Sequence, residues 1–275
     1  MSDAACTAFL QWALPRLDLR WPGYRKVHRQ VCKRVKRRMA ELGLDGFEAY
    51  RARLEADPEE WRVLDECCHI TISRFFRDRG VFEALRRQVL PEIARRARRE
   101  GREASCWSVG CASGEEPYTV KIIWDLEIAV ATPGAALEIV ATDIDAAMLA
   151  RAREGCFDAT SLDELPPALI AEAFDRVGDR YCVCPRHRAG IAFLDQDIRT
   201  DAPPGPFDLV LCRYLAFTYF AESLQRQVLA RLLDRLAPHG YLVIGTHERL
   251  PETATSLATL AGSDQIFQRS AAAGR

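Results

Sequence analysis

The chain has 275 residues, 48% hydrophobic and 28% charged, with a formal net charge of −1, an ordinary composition for a globular protein with a substantial core. Its length suits one large α/β domain or a small domain joined to a medium one. No run approaches the roughly 20 apolar residues that cross a bilayer, and the acid-bearing N-terminus lacks the basic start and cleavage pattern of a signal peptide, so a cytoplasmic protein without membrane insertion is expected.

The first hundred residues read as helices. In VHRQVCKRVKRRMAELGL, Val27, Val31, Val35, Met39 and Leu42 recur near helical spacing with Arg and Lys opposite, and Gly43 marks the stop. DGFEAYRARLEADPEEWRVLDECC continues the helical pattern, with Asp45 as the expected N-cap. DRGVFEALRRQVLPEIARRARR adds two helical stretches linked at Pro91, and RRARREGRE is a charged connector. From residue 104 strands and helices alternate: SCWSVG, then a helix from EEPYTVKIIW with Pro117 in its first turn, LEIVATDID, a helix ended by Gly155, GIAFLDQDI, FDLVLCR, the helix SLQRQVLARLLDRLA, GYLVIGTHE and a final SDQIFQRS. The expected organisation is an all-helical N-terminal domain (1–88), a linker helix (89–103) and an α/β domain (104–275) whose alternation predicts a parallel doubly wound sheet.

Charge divides along the same line. Residues 1–100 hold 22 Lys and Arg against 15 Asp and Glu, a net of +7, and residues 101–275 hold 16 against 24, a net of −8. A basic module on an acidic remainder suits an acidic partner. The basic residues lack interleaved aromatics or a reading motif, so no nucleic acid is expected. Of the ten cysteines, the scattered Cys6, Cys32, Cys106, Cys111, Cys156 and Cys212 are read as small buried hydrophobes in a reducing compartment. YCVCPRH lacks the second ligand pair that a structural zinc site needs, so no metal is expected.

On a doubly wound sheet, ligands bind outside the carboxyl ends of the strands. Those ends supply Gly110 to Gly114, Asp143 with Asp145, Asp195 with Asp197, and Arg213 with Tyr214. The loop between the first strand and its helix, GCASGEEPY, has the glycines of a nucleotide turn but no lysine, and Glu115 and Glu116 stand where a phosphate would sit. Two carboxylates repel a pyrophosphate and suit a nucleoside that carries positive charge. S-adenosylmethionine, with its ammonium and sulfonium, fits. Asp143 is placed to accept the ribose hydroxyls and Asp197 the adenine amino hydrogens, whereas Asp145 is an N-cap candidate.

GCASGEEPY together with ATDID, FDLVLCR and the preceding FFRD resembles the CheR-type chemotaxis receptor methyltransferases, which form glutamate methyl esters from S-adenosylmethionine and release S-adenosylhomocysteine. The resemblance covers nearly the whole chain. It implies a Rossmann-like class I methyltransferase sheet, a helical N-terminal domain and a small antiparallel β-subdomain near 165–192, with DRYCVCPRHRAG as its hairpin. By the same resemblance Arg77 of FFRD reaches the cofactor and the reacting centre. Glu115 or Glu116 takes the methionyl ammonium, Gly110 and Asp143 bind the nucleoside, and Asp197 with Ile198 lies near the adenine. Arg213 matches the arginine of a CRN motif, and Tyr219 the tyrosine of a YF ending. Thr71 and Ser73 stand in a cofactor-binding T-x-N-x-T pattern from which the Asn is missing. Tyr214 replaces another Asn, and YLAFTYF is one residue longer than its counterpart; these departures adjoin the methyl acceptor.

The resemblance thus implies a protein-glutamate O-methyltransferase acting on the acidic helical bundle of a chemoreceptor, and with no long coiled-coil repeat to argue for assembly a monomer is expected. A glutamate acceptor, with a reference pKa of about 4.3, is already ionised at neutral pH, so Arg77 and Tyr219 are expected to steer it rather than deprotonate it. An amine or phenol acceptor would need a base, for which His69 and His247 are the candidates. A small carboxylic acid acceptor, and a non-catalytic sensor or scaffold that binds the cofactor or its product, are the alternatives.

Overall fold

The structure, a computed structural model, describes residues 3–270. The chain divides into two compact units: residues up to Ile70 with Thr218–Gln225, and Thr71–Phe217 with the residues from Arg226 onward.

The first unit is built from helices Asp3–Ala13, Trp21–Tyr24, His28–Glu41, Phe47–Ala56 and Pro58–Cys68. Helix His28–Glu41 buries Val31, Val35 and Met39, the apolar stripe that its spacing announces. Phe9 stacks on Phe47 at 5.0 Å between ring centroids and packs against Tyr50. The acid buried in this core is Glu60, 2% exposed. It is held by a two-pronged pair with Arg38 (2.9 and 2.8 Å) and by the Tyr50 hydroxyl at 2.8 Å, the compensation that a buried charge requires. Gly46, not Asp45, precedes helix Phe47–Ala56 and no side chain caps it. Asp57 takes the capping role one helix later, accepting from Glu59 N–H. The return segment joins this unit through backbone bonds, Arg20 N–H to Tyr219 O at 2.8 Å and Ala221 N–H to Asp18 O at 2.7 Å. Gly23 is obligatory there, because a Cβ would sit 2.2 Å from Thr218 O.

The second unit carries β1 (Ala104–Val109), β2 (Leu137–Asp143), β3 (Cys156–Asp158), β4 (Phe174–Val177), β5 (Arg180–Val183), β6 (Ile191–Asp195), β7 (Phe207–Cys212), β8 (Leu236–Val243), β9 (Leu257–Thr259) and β10 (Ile266–Arg269). Seven of them form one sheet in the order β6-β2-β1-β7-β8-β10-β9. The expectation of a wholly parallel sheet needs correction: β6 to β8 are parallel, but β10 runs antiparallel to β8 and β9 antiparallel to β10. A short hairpin-like return needs no crossover helix, so the last two strands close the edge antiparallel. Every residue of β7 is buried, the signature of a strand covered on both faces. β3, β4 and β5 form a separate antiparallel sheet in the order β3-β5-β4, so the small β-subdomain reaches back to Cys156. Residues 71–88 also belong to this unit: Phe75, Phe76, Phe82 and Leu85 enter its core, and Phe75 meets Phe157 and Phe174 edge-on.

Not all cysteines are free. Cys6 and Cys32 are disulfide-bonded between two helices, and Cys156 and Cys182 between register partners of β3 and β5. Pairing of this kind is set by which helices and strands become neighbours, which spacing along the chain does not reveal. Of the YCVCPRH residues, Cys182 is thus engaged, and His187 Nδ1 lies 2.8 Å from Asp125 Oδ2.

Asp208, 1% exposed at the start of β7, anchors the helix that leads into the sheet. It accepts from Arg102 (2.6 and 2.8 Å), Arg96 (2.9 Å) and Ser105 N–H (3.0 Å). Burial alone would raise its pKa, but the Arg102, Ser105 and Arg96 hydrogen bonds outweigh it and hold the carboxyl below the usual range. A carboxyl with a depressed folded-state pKa stabilises fully above its unfolded value of about 3.9, and that contribution disappears as pH falls through the folded pKa. Replacing Asp208 by Ala takes the close acid partner from the buried Arg96 guanidinium, while Arg102 keeps Glu100, so urea denaturation at pH 7 should show a loss of about 3–5 kcal/mol. The difference between Asp208→Ala and the parent should shrink below pH 4 or so.

Candidate active site

The strand order turns over between β1 and β7, which places the ligand crevice of such a sheet outside the carboxyl ends of these strands. β1 ends in the loop Gly110–Gly114, which only glycine can close at two points. Gly110 has φ +69° and a Cβ there would lie 2.7 Å from Leu215 Cδ2; Gly114 has φ +91° and a Cβ 3.0 Å from that of Ala152. The loop is tied to β2 by Asp143. Its Oδ2 accepts Ala112 N–H at 2.7 Å and its Oδ1 accepts Asp145 N–H at 2.9 Å. Each carboxylate oxygen has about two lone-pair sites, so a half-exposed Asp143 held by backbone donors retains acceptor capacity for a pair of vicinal hydroxyls. Asp145 instead caps helix Ala146–Glu154, accepting from Ala147 and Met148 N–H.

The two glutamates have different surroundings. Glu115 is 3% exposed; Ser113 Oγ donates to its two oxygens at 2.9 and 3.0 Å, and Ser73 is a further hydroxyl partner. Burial raises its pKa, and the serine and backbone bonds only partly oppose this. Glu116 is already neutralised: Ser108 Oγ donates to Oε1 at 2.7 Å, and Arg213 Nη1 to Oε2 at 3.0 Å. A desolvated carboxylate lined by hydroxyls suits an ammonium ligand, whereas a carboxylate held by a guanidinium suits a framework.

Arg213, which directly follows β7, is 7% exposed. Its Nη2 donates to Asp78 Oδ2 at 2.7 Å and to Arg77 O at 2.6 Å, and its guanidinium lies 5.1 Å from the Phe82 ring centroid. Arg213 thus joins the helix after the glycine loop to the turn FFRD. In that turn Phe76 (φ +57°) and Asp78 (φ +63°) are both left-handed, an unusual conformation for residues with a Cβ. Between them Arg77 donates to Ile72 O at 2.8 Å and lies 3.7 Å over the Tyr214 ring. Thr71 is half-buried at the start of the extended segment that carries Ser73.

The structure therefore gathers Ser73, Arg77, Glu115, Glu116, Arg213 and Tyr214 around one set of contacts, with Gly110 and Asp143 on the adjoining loop. Tyr219 belongs to the first unit and packs its ring there against Tyr24 at 4.9 Å. Asp197 is turned onto Arg199, whose Nε donates to both carboxylate oxygens at 3.0 and 2.9 Å, and buried Ile198 offers its carbonyl to Arg231. His69 lies in the first unit, 3.5 Å from Asp65, and His247 is exposed. Sequence reasoning missed Asp78, Thr246 and Glu248. Asp78 stands in the quoted FFRD; Glu248, 7% exposed, accepts from Tyr214 and Gly245 N–H, a role for which GTHE carries no local signal.

These residues fit S-adenosylmethionine. The crevice offers no lysine for phosphate, a buried carboxylate without a cationic hydrogen-bond partner for the ammonium, and Asp143 for the ribose.

Comparison with known proteins agrees. The CheR methyltransferase SAM binding domain matches residues 71–266, and the CheR methyltransferase all-alpha domain matches residues 28–65. A chemotaxis protein methyltransferase of Listeria innocua is 35% identical over 192 residues, 70% of this chain and 70% of its own. A probable chemotaxis protein methyltransferase of Rhizobium etli is 35% identical over 231 residues, 80% of this chain and 84% of its own. Chemotaxis protein methyltransferase 1 of Pseudomonas aeruginosa is 35% identical over 227 residues, 80% of this chain and 81% of its own. With the glycine loop, the acids beside it and the FFRD turn in place, the chain belongs to the CheR family of S-adenosylmethionine-dependent methyltransferases.

Proposed function

We propose that the protein esterifies glutamate side chains on the acidic helical bundle of a chemoreceptor, acting as a cytoplasmic monomer. Three relatives bear chemotaxis methyltransferase names. The residues up to 100 carry a net charge of +7, and Arg25, Lys26, Arg29, Lys33 and Arg37 are exposed on the helical unit, which suits a negatively charged partner. In this reading the helical unit up to Ile70 meets the acceptor protein, and the unit that starts at Thr71 and includes the FFRD turn holds the cofactor. The observation that carries the reading is the half-buried Arg77 beside the cofactor loop, a planar fork suited to a carboxylate.

The bound cofactor supplies a methyl group on a positively charged sulfur. The chain's own residues bind and orient. Glu115 receives the ammonium, Asp143 the ribose hydroxyls, and Thr71 and Ser73 line the methionyl end. Glu116 and Arg213 serve as framework. Arg77 steers the acceptor carboxylate, already ionised at neutral pH, into line with the methyl carbon; alignment and exclusion of water supply the acceleration. Asp197 with Ile198 closes the adenine end.

Three outcomes are expected. Purified protein should place methyl groups on a receptor cytoplasmic fragment that mild alkali releases as methanol; alkali-stable label would exclude an ester. Arg77→Ala should lower kcat/KM for that fragment by about 10–100-fold, the equivalent of one charge-assisted hydrogen bond, with S-adenosylhomocysteine affinity nearly unchanged by calorimetry. Glu115→Gln should weaken S-adenosylhomocysteine binding by a similar factor. A cationic ligand needs Glu115 ionised, so affinity in the parent is full well above its raised pKa and falls as pH drops through it. That slope should vanish in Glu115→Gln and survive in Glu116→Gln.

A further inference from the structure

Tyr214 is the residue whose conformation the fold has least local reason to tolerate. It follows Arg213 with φ +56°, a left-handed backbone that an aromatic side chain adopts at a cost. The surroundings hold its backbone N–H and its phenol. Its N–H donates to Glu248 Oε2 at 2.9 Å, the buried acid that also takes Gly245 N–H at 2.7 Å. Its phenol donates to Asp78 Oδ2 and lies 2.6 Å from Thr246 Oγ1, with Thr246 N–H as a second donor to it. Gly245 is needed for the ring to fit, since a Cβ there would lie 2.8 Å from Tyr214 Cε1.

All of this fixes a ring face directly under a cation. The Arg77 guanidinium carbon lies 3.7 Å from the ring centroid, well inside the range at which an aromatic face attracts a guanidinium. Arg77 gives Nη1 to Ile72 O, so stacking on one face and this single bond leave the remaining N–H edge free to meet a planar anion. Among the described residues Arg77 makes no ion pair with an acid, whereas Arg213 next to it makes two. The hydrogen bonds of Asp78 go to Tyr214 and Arg213, and only its charge reaches Arg77. Burial would raise the Asp78 pKa, but the Tyr214 and Arg213 bonds, with the charges of Arg213 and Arg77, hold it below the usual range.

We propose that Tyr214 is a positioning residue for the acceptor: its ring is the platform that presents the Arg77 fork edge-on to a carboxylate, and its phenol diverts Asp78 from neutralising that fork. The same chain of contacts, Tyr214 to Asp78 to Arg213 to Glu116, ties the acceptor-side arginine to the cofactor loop. The inference rests on the reading that Arg77 meets the acceptor. It predicts that the site selects planar carboxylates through a stacked arginine rather than through a general base.

The test compares Tyr214→Phe, Tyr214→Asn, Arg77→Ala and the double variant Arg77→Ala/Tyr214→Asn, with a receptor cytoplasmic fragment as acceptor, S-adenosylhomocysteine binding by calorimetry and Tm for each. Tyr214→Asn removes the ring while accepting the left-handed backbone more readily, so it should fold with an unchanged or higher Tm and unchanged S-adenosylhomocysteine affinity. Its acceptor KM should rise about tenfold, the upper part of the range for a partly desolvated cation–π contact. Tyr214→Phe keeps the ring but releases Asp78 toward Arg77, so its KM should rise by about threefold, less than in Tyr214→Asn. In the double variant the Tyr214→Asn effect should disappear, because its partner is gone. A Tyr214→Asn protein with parental KM, or one in which Tm, product affinity and KM fail together, overturns the proposal, as does additivity in the double variant. If instead Arg77→Ala itself leaves KM and kcat unchanged, the acceptor role of Arg77 falls first, and Tyr214 with it.

Discussion

A buried guanidinium, Arg213, is the constraint around which the site is organised. It is desolvated, and a bare charge at such depth is untenable without partners. Glu116 and Asp78 supply them from different parts of the chain, and the Arg77 carbonyl adds another acceptor. The consequence is geometric as much as energetic. One side chain at the end of β7 holds the helix that follows the glycine loop and the turn that precedes the catalytic unit's first helix. Breaking it would release the cofactor loop and the FFRD turn together.

β7 is pinned at its other end as well. Asp208 collects Arg96, Arg102 and the Ser105 N–H, so a buried carboxylate near the start of the strand and a buried guanidinium just past its end bracket the wholly buried residues 209–212. Apolar burial supplies the bulk of the stability of such a strand but is indifferent to sliding. The two ionic nodes are directional, and they set where along the crevice the strand delivers Arg213 and Tyr214. Left-handed residues stand at that delivery point, Phe76, Asp78 and Tyr214 among them, while Asp18 and His239 are left-handed away from it. Strain at the edge of a ligand crevice, over-determined by hydrogen bonds, is how a fold holds side chains in orientations they would not choose alone.

The glutamate pair shows how the same residue type takes two roles through environment. Ser113 and Ser73 surround Glu115 with hydroxyls and burial raises its pKa, whereas Glu116 is met by a guanidinium. Their adjacency on a helix, pointing them to different sides, is sufficient to separate them. No property of the dipeptide says which side faces Arg213, because that arginine comes from almost a hundred residues later.

The division between what was legible in the sequence and what was not follows from range. The glycine loop, its missing lysine, Asp143 and Asp145 at one strand end, and the helix stripe of Val31, Val35 and Met39 depend on local periodicity and turn chemistry, and the structure realises them as read. Asp45 lost its capping role to Gly46 by a one-residue shift of the helix start, the scale on which end signals blur. The antiparallel closing strands, the Cys6–Cys32 and Cys156–Cys182 pairs, the turning of Asp197 onto Arg199 and the packing of Tyr219 on Tyr24 arise from neighbours that only folding supplies. The sequence by itself determined the kind of ligand, because charge and glycine placement in GCASGEEPY exclude phosphate wherever the loop ends up. The tertiary structure alone decided which of the two adjacent acids is met by a guanidinium and which by hydroxyls, because that depends on which distant side chain folding brings beside each.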